Sequence, residues 1–211
     1  WSFGDGGTST DLVTITAGDG DNHLEIDKVS TAVLNLGDGD NTFDITSVNS
    51  YDYLVNNSLG YKSDVTIVAG DGANSMDIDA DGDIGTVKVT AGDGGNAINV
   101  EAATINVTSG SGADDIRAEG RDITVNAGGS GNNITLVGTD DDYTDDSYGA
   151  LIVVNAGTNS VVHLGSGYDP QSEADDDFPG TGSLTAKEGS SIAGTNLTLY
   201  VDTVADLRAA S

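Results

Sequence analysis

The chain contains no cysteine, only two prolines (Pro170 and Pro179), one tryptophan, one methionine and seven basic residues. Without cysteine, disulfides and thiolate metal sites are excluded, so an exported chain of this kind needs another staple. Against the seven Lys and Arg stand 35 Asp and Glu, a net charge of −28. A compact state with that charge repels itself, and must sit in high salt or bind cations. Nucleic acid and anionic membrane surfaces are poor partners for it. No apolar run approaches membrane-spanning length, so membrane insertion is not expected. A chain that starts at Trp1 is expected to be a processed form or an excised piece.

Catalytic constellations are scarce as well. The only histidines are His23 and His163, and no G-x-S-x-G elbow, H-E-x-x-H helix or P-loop occurs. No enzymatic activity is expected. A carbohydrate-active β-helix is a weaker alternative, resting on an outward column of Glu25, Asp44 and Asp77 that continues into Asn99 and Arg117.

What is present is glycine and alternation. The 30 glycines and the 36% hydrophobic residues together make about half of the chain, enough for a narrow core. A Gly-Asp-Gly turn or a close variant recurs after Gly4, Gly18, Gly37, Gly70, Gly92, Gly110 and Gly128, with a decayed copy after Gly157. Successive copies lie 14, 19, 33, 22, 18, 18 and 29 residues apart, a unit of about 18 with insertions. Apolar residues two apart precede the turns (Val65/Ile67, Val87/Val89, Ile105/Val107) and follow them (Phe43/Ile45, Met76/Ile78, Ile98/Val100). That period of two is a strand signal. One unit cannot bury its own inward faces, but units stacked about 4.8 Å apart can. The expected fold is all-β: a right-handed parallel β-roll or β-helix solenoid with coils of about 18 residues. A β-sandwich with Gly-rich hairpins explains the alternation but not the fixed place of the turn before the second strand.

The turns read Ala17-Gly-Asp-Gly-Asp-Asn22, Leu36-Gly-Asp-Gly-Asp-Asn41, Ala69-Gly-Asp-Gly-Ala-Asn74, Ala91-Gly-Asp-Gly-Gly-Asn96, Ser109-Gly-Ser-Gly-Ala-Asp114 and Ala127-Gly-Gly-Ser-Gly-Asn132. The repeat assigns Asp5, Asp19, Asp38, Asp71 and Asp93 to one turn position. Like charges about 5 Å apart repel by roughly 1 kcal/mol in water and more at a protein edge. Counter-ions are therefore expected, and calcium takes six to eight oxygens of the kind that turn carbonyls, Asp and Asn supply. The expected calcium ligands are Asp5, Asp19, Asp21, Asn22, Asp38, Asp40, Asn41, Asp71, Asn74, Asp93, Asn96 and Asp114. For Asn22, Asn41, Asn74, Asn96, Asn132 and the intervening Asp114, a metal-free ladder of stacked amides is the alternative.

These turns resemble the RTX nonapeptide repeats, G-G-x-G-x-D-x-U-x. Ser109–Arg117 matches that pattern at every position but the first; elsewhere the first Gly is usually Ala and the Asp usually Asn. The family carries its motif on both edges of each coil, this chain on one. The resemblance covers roughly residues 3–165 and implies a calcium-binding parallel β-roll exported from a bacterium.

The expected organisation is a roll over 1–165, interrupted at 48–63 and 138–150, followed by an acidic loop and a capping or assembly segment over 166–211. Within that segment, strand-like pieces are expected at Leu184–Ala186 and Leu197–Val201, and a helical turn or two over Asp202–Ala210. Insertion 48–63 carries three of the seven tyrosines, and 138–150 and 166–181 are acidic. An ice-binding face is disfavoured because the outward row Thr14, Val33, Thr66, Lys88, Asn106, Thr124 is interrupted. The expected function is a calcium-stabilised structural protein of the bacterial cell surface: a subunit of a surface layer, filament or adhesin. Such a subunit self-associates, and a cell-surface polysaccharide is a further candidate partner. The alternative is a folding and secretion module of a larger RTX-type exoprotein, which would fold on meeting calcium outside the cell.

Overall fold

The computed structural model describes residues 2–3, 12–27, 29–46, 64–80, 85–138, 149–166, 185–186 and 190–201. All regular structure in these residues is strand. One sheet stacks β1 (Ser2–Phe3), β3 (His23–Asp27), β5 (Thr42–Thr46), β7 (Ser75–Asp79), β9 (Ala97–Glu101), β11 (Asp115–Gly120), β13 (Asn133–Gly138), β15 (Val161–Ser166) and β18 (Thr198–Val201). The other stacks β2 (Leu12–Ala17), β4 (Thr31–Leu36), β6 (Asp64–Ala69), β8 (Thr86–Ala91), β10 (Thr104–Ser109), β12 (Asp122–Ala127) and β14 (Gly149–Thr158). Beyond β14 this second sheet is continued by β16 (Thr185–Ala186) and β17 (Ser191–Thr195). Every strand pairing is parallel, and each strand pairs with strands one coil before or after it. The fold is a parallel β-solenoid.

The core is a set of apolar columns between the sheets. Ile15, Leu34, Ile67, Val89, Val107, Val125, Val154 and Ile192 stand in register up the second sheet. Leu24, Phe43, Met76, Ile98, Ile116, Ile134, Val162 and Leu199 do so up the first. Side chains at these inward positions are buried through the middle of the stack, and only Ile15, Ile192 and Leu199, toward its ends, remain partly exposed. β-branched and aliphatic residues suit such columns because they pack on a pleated surface. Truncating one central Ile to Ala costs about 2–5 kcal/mol.

The outward rows are as the sequence spaces them. Glu25, Asp44, Asp77, Asn99 and Arg117 form one register column on the first sheet. Thr14, Val33, Thr66, Lys88, Asn106 and Thr124 form another on the second. The motif is lost after residue 181, yet β17 and β18 add one more coil to both sheets. Insertion 48–63, most of 138–150, the acidic stretch 167–181 and the helical turns expected over 202–210 lie outside the described residues.

Candidate functional site: the turn edge

From the copy at Gly18 onward each turn carries the chain from the second sheet to the first, so these turns stack along one edge. In the turns at 18–22, 37–41, 70–74 and 92–96 the two glycines have different duties. The second (Gly20, Gly39, Gly72, Gly94) has φ between 110° and 137°, a region closed to residues with a Cβ. The first has no such φ, but from Gly37 onward it is closely approached by the preceding turn. A Cβ on Gly92 would lie 2.4 Å from Oδ1 of Asp71 and 2.7 Å from the carbonyl carbon of Gly70. Gly37, Gly70 and Gly110 are approached by Asp19, Asp38 and Asp93 in the same way.

That approach seats each aspartate on the next coil. The backbone N–H of Asp38 donates to Asp19 Oδ1 (3.2 Å), that of Asp71 to Asp38 (2.9 Å), that of Asp93 to Asp71 (2.8 Å) and that of Ser111 to Asp93 (2.7 Å). A second series runs beside it: Asp40 N–H to Asp21 Oδ1 (3.0 Å) and Ala73 N–H to Asp40 Oδ1 (2.8 Å). All six carboxylates are exposed. The backbone and side-chain hydrogen bonds from Ser111 hold the Asp93 carboxyl below its ordinary value, against a small opposing effect of desolvation.

One step further along each turn lies a second ladder, and it is buried. Asn41, Asn74, Asn96, Asp114 and Asn132 are each at most 1% exposed. Nδ2 of Asn22 donates to Asn41 Oδ1 (2.8 Å), and Asn41 to Asn74, Asn74 to Asn96 and Asn96 to Asp114 each at 2.9 Å. The backbone N–H of the same residue reaches the same oxygen, at 3.0–3.3 Å for those four. Both lone pairs of each acceptor Oδ1 are thereby used. Each Nδ2 also donates to the carbonyls of the glycines two and four residues earlier, as Asn74 does to Gly72 and Gly70. The amide column is the stacked ladder weighed in the sequence, closed at its far end by Asn132 donating to Ala156 O and Ser160 Oγ.

Asp114 departs from this pattern. Its Oδ1 plays the acceptor part of an asparagine, while its Oδ2 stands where the other coils carry a donor and receives the Ser109 hydroxyl at 2.7 Å. Ser109 occupies the inward position held by Ala69, Ala91 and Ala127 in neighbouring strands. The carbonyls of Gly110 and Gly112, equivalent to those that Asn74 and Asn96 satisfy, receive no donor from the described residues.

These facts decide how calcium could fit. The Oδ1 oxygens of Asn41, Asn74 and Asn96 are committed to the ladder. The turn carbonyls of Asp38, Asp71, Asp93 and Ser111 accept the N–H groups of Gly20, Gly39, Gly72 and Gly94 at 2.6–2.9 Å. Calcium held by these carbonyls would have to share oxygens that already accept a hydrogen bond. What remain are the outer oxygens of Asp19, Asp38, Asp71, Asp93, Asp21 and Asp40, and the Asp114 turn with its Gly110 and Gly112 carbonyls. Among the described residues no three Asp, Glu or His side chains gather as a ready metal cage. Asp5 lies outside the described residues. The strands flanking it run from the first sheet to the second, the reverse of the order around every other copy of the turn.

One contact on the outer face had no signal in the repeat. His163 and Tyr200 pair across β15 and β18, their rings stacked with centroids 4.7 Å apart. No known protein family, curated protein or solved structure matches the chain.

Proposed function

We propose that the chain is a structural subunit of an extracellular bacterial surface assembly (a layer, filament or adhesin) that calcium joins through carboxylates outside its core. The observation that carries this reading is the register of the acidic columns. Asp19, Asp38, Asp71 and Asp93 repeat up one edge, and Glu25, Asp44 and Asp77 up the adjoining face, once per coil of a continuous stack. A regular array of single carboxylates on such a stack is poorly suited to catalysis and well suited to bridging by a hard divalent cation, which accepts carboxylate oxygens from two partners and completes its shell with water. Asp114, with Gly110 and Gly112, is the candidate ligand set inside a turn; calcium there would neutralise a buried carboxylate. Negative-stain microscopy in millimolar calcium and in EDTA tests the reading. Ordered polymers or sheets in calcium alone are expected; a particle that stays monomeric in both would refute it.

The near-complete nonapeptide Ser109–Arg117 favours a second reading, a folding and secretion module of a larger exoprotein. That reading requires the isolated chain to be unfolded without calcium.

A further inference from the structure

The resemblance to calcium-binding rolls implies turns held shut by metal. We infer that in the turns at 18–22, 37–41, 70–74 and 92–96 the aspartate side chain itself fastens each coil to the next, as a backbone hydrogen-bond acceptor, so that these turns hold without a cation.

Four aspartates make the same contact with the following turn, at 2.7–3.2 Å. Each is admitted by a glycine that lacks positive φ and whose missing Cβ makes room for the carboxylate oxygen. The Gly-Asp pair thus reads across coils: the glycine of one turn accommodates the aspartate of the turn before it. The N–H groups so bound would otherwise need water or an anion. The remaining polar groups are committed too. Gly N–H to Asp carbonyl bonds link the same turns, and the asparagine amides satisfy the glycine carbonyls. A carboxylate accepting a backbone N–H is also partly compensated by that dipole, which eases the repulsion of the column. Charge is not required for the bond, because a neutral amide oxygen at the same position accepts the same N–H.

The Asp93 amide, which donates to Asp71, is the reporter. Its hydrogen exchange and the melting midpoint are measured on the full chain in EDTA and in calcium, for the native protein, Asp71→Asn and Asp71→Ala. Expected is protection of the native amide in both media, retained in Asp71→Asn. In Asp71→Ala it falls about tenfold, with a midpoint lower by about 2–4 °C. Native protection that exists only in calcium, or an Asp71→Asn protein as damaged as Asp71→Ala, would overturn the inference. Neither outcome depends on whether calcium drives assembly, so the proposed function can fail while this inference stands, and the reverse.

Discussion

At Asp114 one oxygen replaces one nitrogen, and the turn loses a donor. In its neighbours Nδ2 satisfies two glycine carbonyls and the next acceptor in the ladder. Asp114 offers acceptors only, relieved on one side by Ser109. Gly110 and Gly112 are partly buried, and an unmet carbonyl costs up to about 1–3 kcal/mol where water is kept from it. Asp114→Asn is therefore expected to stabilise the chain in EDTA by about 1–2 kcal/mol, seen as a higher denaturant midpoint. The same change is expected to weaken calcium binding in a calorimetric titration. Asp93 offers a second test at this scale. Its folded-state pKa is depressed, chiefly by the Ser111 backbone N–H and then by the Ser111 hydroxyl. A depressed carboxyl contributes stability above its unfolded pKa and loses it as pH falls through the folded one. NMR titration should find Asp93 ionised below 3.8, its ordinary value. Ser111→Ala should move it part of the way back, since the backbone donor stays.

At the scale of the coil, the sequence and structure agree where chemistry repeats and part where it does not. The paired apolar positions around Gly70, Gly92 and Gly110 were legible because strand alternation and coil period are both fixed by packing. Of the last coil, the strand at Leu197–Val201 was legible from its apolar residues. β17 and its place in the stack were not, because the turn between these two strands carries no Gly-Asp-Gly. Asn196, at φ 54°, replaces the glycine there and donates to Asn159 (φ 51°) of the preceding turn. The split between exposed aspartate and buried asparagine was hidden as well. Both are oxygen-bearing residues of one turn, and only the fold decides which faces inward. Ser109 carried a signal that could have been read: it is the one serine in the row of inward Ala and Leu, in the one turn ending in Asp. If the pair is compensatory, it should be transferable. Asn74→Asp alone should cost about 2 kcal/mol, because Gly70, Gly72 and Asn96 lose their donor. Adding Ala69→Ser should recover about 1 kcal/mol of that. A double-mutant cycle showing no coupling between positions 69 and 74 would refute the pairing.

Over the whole molecule the two outer faces differ in charge. The first sheet turns Glu25, Asp27, Asp44, Asp77, Asp79, Glu101, Asp115 and Glu119 outward, with Arg117 bonded to Glu119. The second presents mainly Thr, Asn and Val, with Asp64, Asp122 and Lys88 among them. Two copies cannot bring their first-sheet faces together in water without a cation between them, since fields of one sign add over the face. Second-sheet faces meet no such barrier, so calcium can only select contacts that involve the acidic face or edge. Monovalent salt screens the repulsion within a chain, with a Debye length of about 10 Å at 0.1 M. It should therefore raise the melting midpoint without joining chains. Asp44→Asn combined with Asp77→Asn removes two neighbouring charges from the middle of the acidic column and leaves the core untouched. The variant should melt no lower than the native chain and respond less to salt. Its calcium-driven assembly, followed by light scattering, should need several-fold more calcium. Thr66→Asn, on the opposite face, should leave that requirement unchanged. If both variants assemble at the native calcium concentration, the acidic face is not the bridging surface, and the turn edge with Asp38 and Asp71 becomes the place to look.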